Sequence, residues 1–544
     1  MYHSLKIGLM ISVSLFGACS VQNAPTQNDS TPDSTAMESY APSPLLSKTL
    51  PELAEELKAG NITSEALTQA YLTRIERVDK SGPTLQAVLT LNPEALNIAR
   101  ALDIKRANGE TLGALHGLPI LLKDNIESAD PMPTTAGALA LLENMTERDA
   151  PLVTELRKAG AVILGKANLS QWANFRSEDS MSGWSALGGQ VRNPHSLDRN
   201  PCGSSSGSGA GVAASLAAGA VGTETNGSII CPSTVNGVVG FKPTVGLVSQ
   251  KYIIPISSSQ DTAGPMTKSV RGAAMMLGAM DTQNIDYTSR LSPDALRGKR
   301  LGVLRFAQGS HAGIKNQFND ALKTLEAAGA ELIEIDSFDN SAENYGRDSY
   351  AVLQYEFKAT LNEYLNETPQ NVKTRTLSDL ITFNKNTPRE TALFDQSIFK
   401  LSDVRGPLSD PAYISAKASV QKAVREDGID LLLRQYEVAA LVAPSGPLPG
   451  RIDPVNGDTW PAWAGAGYMA AVAGYPHISV PMGTVRGLPV GLSFMGAEND
   501  DANILSFGYA FEQMGSKRID PTYRKNAEDW PDIARAMRSP ANSE

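Results

Sequence analysis

The chain predicts a single large α/β domain organised around one β-sheet. Three observations carry that prediction. From residue 49 onward, stretches with helical spacing of apolar residues alternate with short apolar runs, the pattern of helices laid against a sheet. Several runs, Leu118–Leu122 among them, are apolar at nearly every position, as strands buried on both faces are. Residues 45–544 show no linker-like change of composition and no fixed-period repeat, so they read as one domain.

The elements follow in order. Residues 49–79 predict two helices; in the second, Thr63 or Ser64 can cap, and Leu67, Tyr71, Ile75 and Val78 recur at helical spacing. Residues 93–108 predict a helix ending near Asn108-Gly109. The strand Leu118–Leu122 precedes an amphipathic helix at Ala150–Gly160 and a strand at Ala161–Leu164. Ala210–Ala218 reads as a helix of small residues, and a short strand then leads to Thr223. Further strands are expected at Leu301–Leu304, Leu332–Ile335, Ala440–Ala443, Ile478–Val480 and Val490–Phe494, with helices between most of them. Residues 340–430 are more polar and aromatic, and are expected to form a helical cap or insertion over the functional site.

Ahead of the domain, Lys6 and the apolar stretch Ile7 to Ala18 have the proportions of a signal peptide spanning residues 1–18. The stretch ends Leu15-Phe-Gly-Ala-Cys19, and small residues just before a cysteine resemble a bacterial lipoprotein processing site. Cys19 is therefore expected to be lipidated, with Ser20 after it favouring the outer membrane and the domain facing the periplasm. Soluble export is one alternative, because Phe16 fits the processing site poorly, and an unprocessed membrane anchor is the other. Residues 19–44, rich in Ser, Thr, Pro, Asn and Gln, read as a disordered tether. No apolar run reaches the roughly 18–20 residues that span a bilayer, so the lipid is the one membrane contact expected. A formal charge of −10 without a basic cluster argues against a nucleic-acid partner.

Three segments carry the chemistry. Pro201–Gly211 and Thr223–Ile229 place two serine clusters in glycine-rich surroundings, and Gly117-Leu-Pro-Ile-Leu-Leu-Lys-Asp-Asn125 ends an apolar strand in a lysine. A serine hydroxyl needs a base to become a nucleophile, and none of the three segments contains histidine. Lys123, desolvated at the end of a buried strand, can serve if burial brings it from about 10.4 towards 7. Ser228 follows Thr225-Asn-Gly227, a turn able to converge backbone N–H groups on an oxyanion. Ser204 both donates and accepts, and so can relay a proton between the two. Taken singly, each of these residues has a plainer structural reading, as a turn serine, a solvated lysine or a flexible Gly/Ser loop.

Jointly, the segments resemble the amidase signature family of serine hydrolases. GLPILLKDN is similar to its lysine motif, PCGSSSGSGAG to its first serine motif and GTETNGSI to its nucleophile motif. Thr134-Thr-Ala-Gly137, Ala161 to Asn168, Gly240-Phe-Lys-Pro243, Gly264-Pro-Met266 and Ala473 to Pro481 also resemble family segments, so the likeness spans roughly 50–500. It implies a mixed central β-sheet sandwiched by helices. It also implies Lys123 as base, Ser204 as relay (often in a cis peptide), Ser228 as acylated nucleophile and backbone N–H groups of Thr225, Asn226, Gly227 and Ser228 as oxyanion hole, with no cofactor or metal. Glu224, Asn226 and Ser206 depart from the commoner Asp and Gly residues and recur in a branch resembling bacterial peptide amidases. The expected substrate is a small amide or peptide amide, handled by a monomer or homodimer. The glutaminase subunit of a tRNA-dependent amidotransferase and a non-catalytic amide-binding lipoprotein are the alternatives.

Other residues compete with these. Gly203-Ser-Ser-Ser-Gly207 fits the nucleophile elbow of α/β-hydrolases, centred on Ser205, but the polar, proline-broken Asn193–Pro201 provides no strand before it. His116, His195, His311 and His477 lie apart from the serine motifs, and they and Lys166 and Lys242 are expected to be structural. Trp172, Asn174, Trp460 and Trp463 are candidates for a substrate groove. Export would permit a Cys202–Cys231 disulfide, though two buried thiols are the plainer expectation.

Overall fold

The structure, a computed structural model, describes residues 40–537 and 539 apart from Thr111, Leu112, Asn284 and Pro461. The signal segment, Cys19 and most of the expected tether therefore lie outside the described residues. The tether boundary expected at residue 44 moves earlier. Arg74 donates to the carbonyls of Tyr40 and Ala41, and the Tyr40 ring meets Tyr523 edge-on, so the chain is already folded by residue 40.

Among the described residues thirteen strands form: β1 (Val88–Leu91), β2 (Pro119–Lys123), β3 (Val162–Ala167), β4 (Trp184–Ser185), β5 (Gly189–Gln190), β6 (Gly219–Glu224), β7 (Val239–Lys242), β8 (Thr262–Thr267), β9 (Arg300–Leu304), β10 (Glu331–Ile335), β11 (Ala440–Pro444), β12 (His477–Val485) and β13 (Leu488–Met495). All but the β4–β5 ribbon join one mixed sheet, ordered β1-β3-β2-β6-β8-β7-β12-β13-β11-β9-β10. The pairs β2/β3, β2/β6, β9/β10 and β9/β11 are parallel and the others antiparallel. Every residue of β2, β3, β6, β7, β8 and β11 is buried, which is why helices must cover both faces.

Five strands escape the pattern reading: both strands of the two-residue β4–β5 ribbon and three strands of the main sheet. β1 is four residues long, with an alternation too short to register. β7 reads as a family-like segment rather than as a strand. β8 contains Gly264-Pro265, a strand breaker by residue type, yet it pairs with β6 and β7 in mid-sheet, with Pro265 opposite Val221. The small-residue helix spans Ser206–Ala213 instead of 210–218. Its early glycines look like loop, but a Cβ on Gly207 would lie 2.2 Å from the Ala87 carbonyl oxygen and 2.4 Å from that of Asn168. Close approach of backbone to backbone selects the glycine there.

Residues 340–430 are helical, with helices Tyr345–Asn366, Leu377–Lys385, Ser397–Asp403 and Pro411–Val424. Buried Glu356 ties this region to the loop before β8, accepting from Ser259 N at 3.0 Å, Ser259 Oγ at 2.9 Å and Tyr413 Oη at 2.7 Å.

Candidate active site

β2 and β6 run parallel with Leu122 opposite Val221, so their C-terminal ends finish together and bring Lys123 beside Thr223. Lys123 is fully buried. Its Nζ lies 2.7 Å from Ser204 Oγ, 2.8 Å from Thr223 Oγ1 and 3.1 Å from the Thr223 carbonyl oxygen. Among the described residues no carboxylate is within ion-pair distance of it. Burial pushes its pKa down to about 7, against the pull of Asp261 and Glu224. A neutral amine can satisfy these contacts, donating its two hydrogens to the Thr223 oxygens and accepting from the Ser204 hydroxyl through its lone pair, whereas an ammonium would donate to Ser204 as well.

Ser204 follows Gly203 across a cis peptide bond. A Cβ on Gly203 would fall 2.1 Å from Ser170 Oγ, so this approach is open to glycine alone. Ser205 Oγ donates to the Thr223 carbonyl at 3.0 Å and accepts from its N–H at 3.2 Å. That serine is thus fastened to β6, and the nucleophile-elbow geometry is absent.

Ser228 lies in the turn between β6 and the helix Ile230–Asn236, is 9% exposed, and accepts from Ser205 N at 3.1 Å through its carbonyl. This bond holds the two serine segments against each other. Gly227 adopts φ +82°, a conformation that favours glycine. Among the described residues the N–H groups of Asn226, Gly227 and Ser228 donate to no protein acceptor, leaving them free for an oxyanion. Thr225 is pinned beside them, its hydroxyl donating to Asp261 at 2.6 Å and its carbonyl accepting from Gln260 at 3.2 Å. Burial pushes Asp261 up to about 6. Glu224 Oε2 accepts from the N–H groups of Ile229 and Ile230 at 2.7 and 3.0 Å, satisfying the start of the next helix.

Cys202 and Cys231 are joined in a disulfide, with Cα atoms 5.9 Å apart, which corrects the expectation of two buried thiols. Their sequence separation of 29 gives no hint of proximity; the fold brings them together where the two serine segments meet. Closing a loop of this size stabilises a chain by about 3–4 kcal/mol. The double variant Cys202→Ser/Cys231→Ser is expected to melt earlier in a thermal scan and to lose roughly 10- to 100-fold in kcat/KM through misplacement of the serines. Unchanged kinetics in that variant would show that the bridge does not set their positions.

Two cavities flank the 225–228 turn. One, of about 230 Å³, is walled by Asn174, Gly203, Asn226, Ser445, Trp460 and Trp463, with the disulfide beside them. The other, of about 360 Å³, is walled by Asn125, Thr223, Thr225 and Asp261 and is covered by Thr360 and Tyr364 of the helical region. A larger groove of about 930 Å³, between helices Leu50–Lys58, Pro151–Lys158 and Val270–Met280, contains none of the serine motifs.

Asn174, Trp460 and Trp463 thus line the 230 Å³ cavity. Trp172 does not: it is 2% exposed and packs edge-on against Phe399, because Trp172, Ala173 and Asn174 are three successive left-handed residues that turn the indole inward and the amide outward. Asn174 Nδ2 donates to Ser182 Oγ at 2.8 Å, and Ser182 N donates to Asp458 at 2.9 Å. Thr223, Asp261, Ser445 and Asp458 also wall these cavities, and sequence reasoning misses all four. They sit on strand ends and loops up to 235 positions apart (458 − 223), where no periodicity signals proximity. Three of the described histidines are structural: His116 and His195 bond backbone carbonyls at 3.0 Å, and His311 accepts from Gly313 N at 3.1 Å.

Known proteins share this arrangement of chain. The amidase family model matches residues 66–505. The structure of native peptide amidase from Stenotrophomonas maltophilia is 45% identical, with a TM-score of 0.83 over 88% of this chain and 99% of that one. A peptide amidase solved with the competitive inhibitor chymostatin is 46% identical, with a TM-score of 0.84 over 88% of this chain and 100% of that one. A glutamyl-tRNA(Gln) amidotransferase subunit from Halorhodospira halophila is 33% identical over 504 residues, 86% of this chain and 97% of its own.

Proposed function

This chain belongs to the amidase family and is an amide-hydrolysing enzyme, and on that premise we propose that its substrate is a carboxamide on a peptide-like acyl group, cleaved through Ser228, Ser204 and Lys123. Ser228 Oγ attacks the carbonyl carbon while its proton passes to Ser204 Oγ and the Ser204 proton passes to Lys123 Nζ. The oxygen of the tetrahedral intermediate takes hydrogen bonds from the backbone N–H groups of 225–228. The C–N bond then breaks, the leaving nitrogen takes the proton back through Ser204, and ammonia departs. Water attacks the acyl-enzyme by the same relay, releasing the acid and restoring Ser228.

The observation that carries this reading is the 2.7 Å contact between a fully buried, carboxylate-free amine and Ser204. Identity of 45–46% to peptide amidases, against 33% to the amidotransferase subunit, favours peptide amides over glutamine. A screen for ammonia release from peptide amides, aryl amides and glutamine is expected to show turnover first on peptide amides. Turnover of glutamine alone would transfer the assignment to the amidotransferase-like reading. Absence of turnover, together with failure of a fluorophosphonate to label Ser228, would leave a binding protein.

Export with lipidation at Cys19 belongs to the same proposal. The Cys202–Cys231 disulfide supports it, since such bridges persist in oxidising compartments. Mass spectrometry of the mature N-terminus tests it, an intact Met1 being the contrary result.

A further inference from the structure

A buried row of hydroxyls on β12 and β13 leads to Ser445 in the wall of the 230 Å³ cavity. It begins at His477, where burial and the charge of Lys242 push the ring down to about 3 and keep it neutral. Nδ1 has no partner among the described residues, and Nε2 lies 2.6 Å from Ser493 Oγ. Ser493 Oγ donates to Ser445 Oγ at 2.9 Å. The proton of Ser493 is thereby committed, so the neutral ring carries its hydrogen on Nε2 and donates to Ser493. Ser479 Oγ also donates to Ser445 Oγ, at 2.8 Å.

Ser445 consequently accepts two hydrogen bonds, and its own proton has no protein acceptor among the described residues. Ser445 lines the cavity, with Asn226 and Gly227 of the Ser228 turn in the same wall. The row polarises in one direction, from imidazole to Ser493 to Ser445, which makes the last hydroxyl a better donor than an isolated serine. Asp458 in the same wall, held by Ser182 and Asn200, disfavours an anionic occupant. The acceptor that fits is a neutral carbonyl oxygen.

We propose that Ser445 is a substrate-binding residue whose hydroxyl donates to the carbonyl oxygen of an acylamino group on the acyl side of the scissile carboxamide. This assignment rests on the amidase reading above and adds to it the feature by which a peptide amide is told from a simple alkyl amide.

The test compares N-acetyl-L-phenylalaninamide with 3-phenylpropanamide, which lacks only the acetamido group. Ser445→Ala is expected to lose about 10-fold in kcat/KM on the acetylated amide and to stay within about 2-fold of wild type on the other, as loss of one hydrogen bond predicts. Ser445→Thr, which retains a hydroxyl, is expected to restore most of the loss and guards against a folding defect. Equal losses on both amides, or none on the acetylated one, overturn the proposal. If wild-type protein hydrolyses neither amide, the amidase reading fails on its own account. Calorimetric affinities of the same two amides for wild type and Ser445→Ala then decide the role of Ser445, with selective weakening of the acetylated amide supporting it and equal affinities overturning it.

Discussion

Alanine at Ser228 is expected to lower kcat on a peptide amide by at least about 10⁴-fold, the scale on which removal of a covalent nucleophile acts. The side chain is the reacting atom in the proposed reaction and little else. Among the described residues its hydroxyl makes no protein hydrogen bond, and the turn is held through the Ser228 carbonyl, which alanine keeps. Thermal stability should therefore be unchanged, and fluorophosphonate labelling should vanish with activity. The N–H groups of Asn226 and Gly227 stay in place, so residual catalysis above water is expected from the turn alone. Ser204→Ala should retain more than Ser228→Ala, since a water can stand in for a relay but not for the acylated atom. Wild-type rates in Ser228→Ala would remove the nucleophile assignment.

The second large effect concerns Lys123. As base it must be neutral, and burial sets its pKa at about 7. Below that value most of the amine is ammonium and cannot accept a proton, so kcat/KM should rise about tenfold per pH unit up to about pH 7 and level off above it. A flat profile between about pH 5 and 9, or one falling as pH rises, contradicts the role. Lys123→Ala should abolish turnover, but it also empties volume beneath Ser204 and Thr223. Lys123→Met keeps the stem and removes the amine, so equal loss in both variants, at least about 10³-fold, isolates the chemistry from the packing. Lys123→Arg is expected to be as inactive, because a guanidinium does not deprotonate in a protein.

Much of this is legible in the sequence, for physical reasons that differ by residue. Lys123 is readable only jointly: alone, a lysine ending an apolar run has the plainer reading of a solvated strand end, and the likeness of all three segments to family motifs singles it out. Ser204 and Ser228 are readable through the likeness of their segments to family motifs, since glycine and serine at such density read as a flexible loop, whereas Ser204 and Ser205 are buried and Ser206–Ala213 is a buried helix. The α/β architecture follows from all-apolar runs such as β2 and β3, whose burial on two faces requires layers on each side. β8 is illegible because Pro265 argues against a central strand, and the Ser206–Ala213 helix is misplaced because its glycines answer to neighbouring backbone rather than to helix propensity. Trp172 misleads because the left-handed run that turns it inward has no signature in a Gln-Trp-Ala-Asn stretch. The 29-residue spacing of the two cysteines fits a crosslink or free thiols equally well.

That crosslink has a wider mechanical meaning. Residues 202–231 form a covalent macrocycle that contains Ser204, Ser228, the Ser206–Ala213 helix and β6. Both hydroxyl groups therefore lie within one closed ring, each near the crosslink that closes it. Of the three side chains proposed to react, the amine alone rides on a strand outside that ring, so the gap between β2 and the ring is the one separation among them that no covalent closure spans.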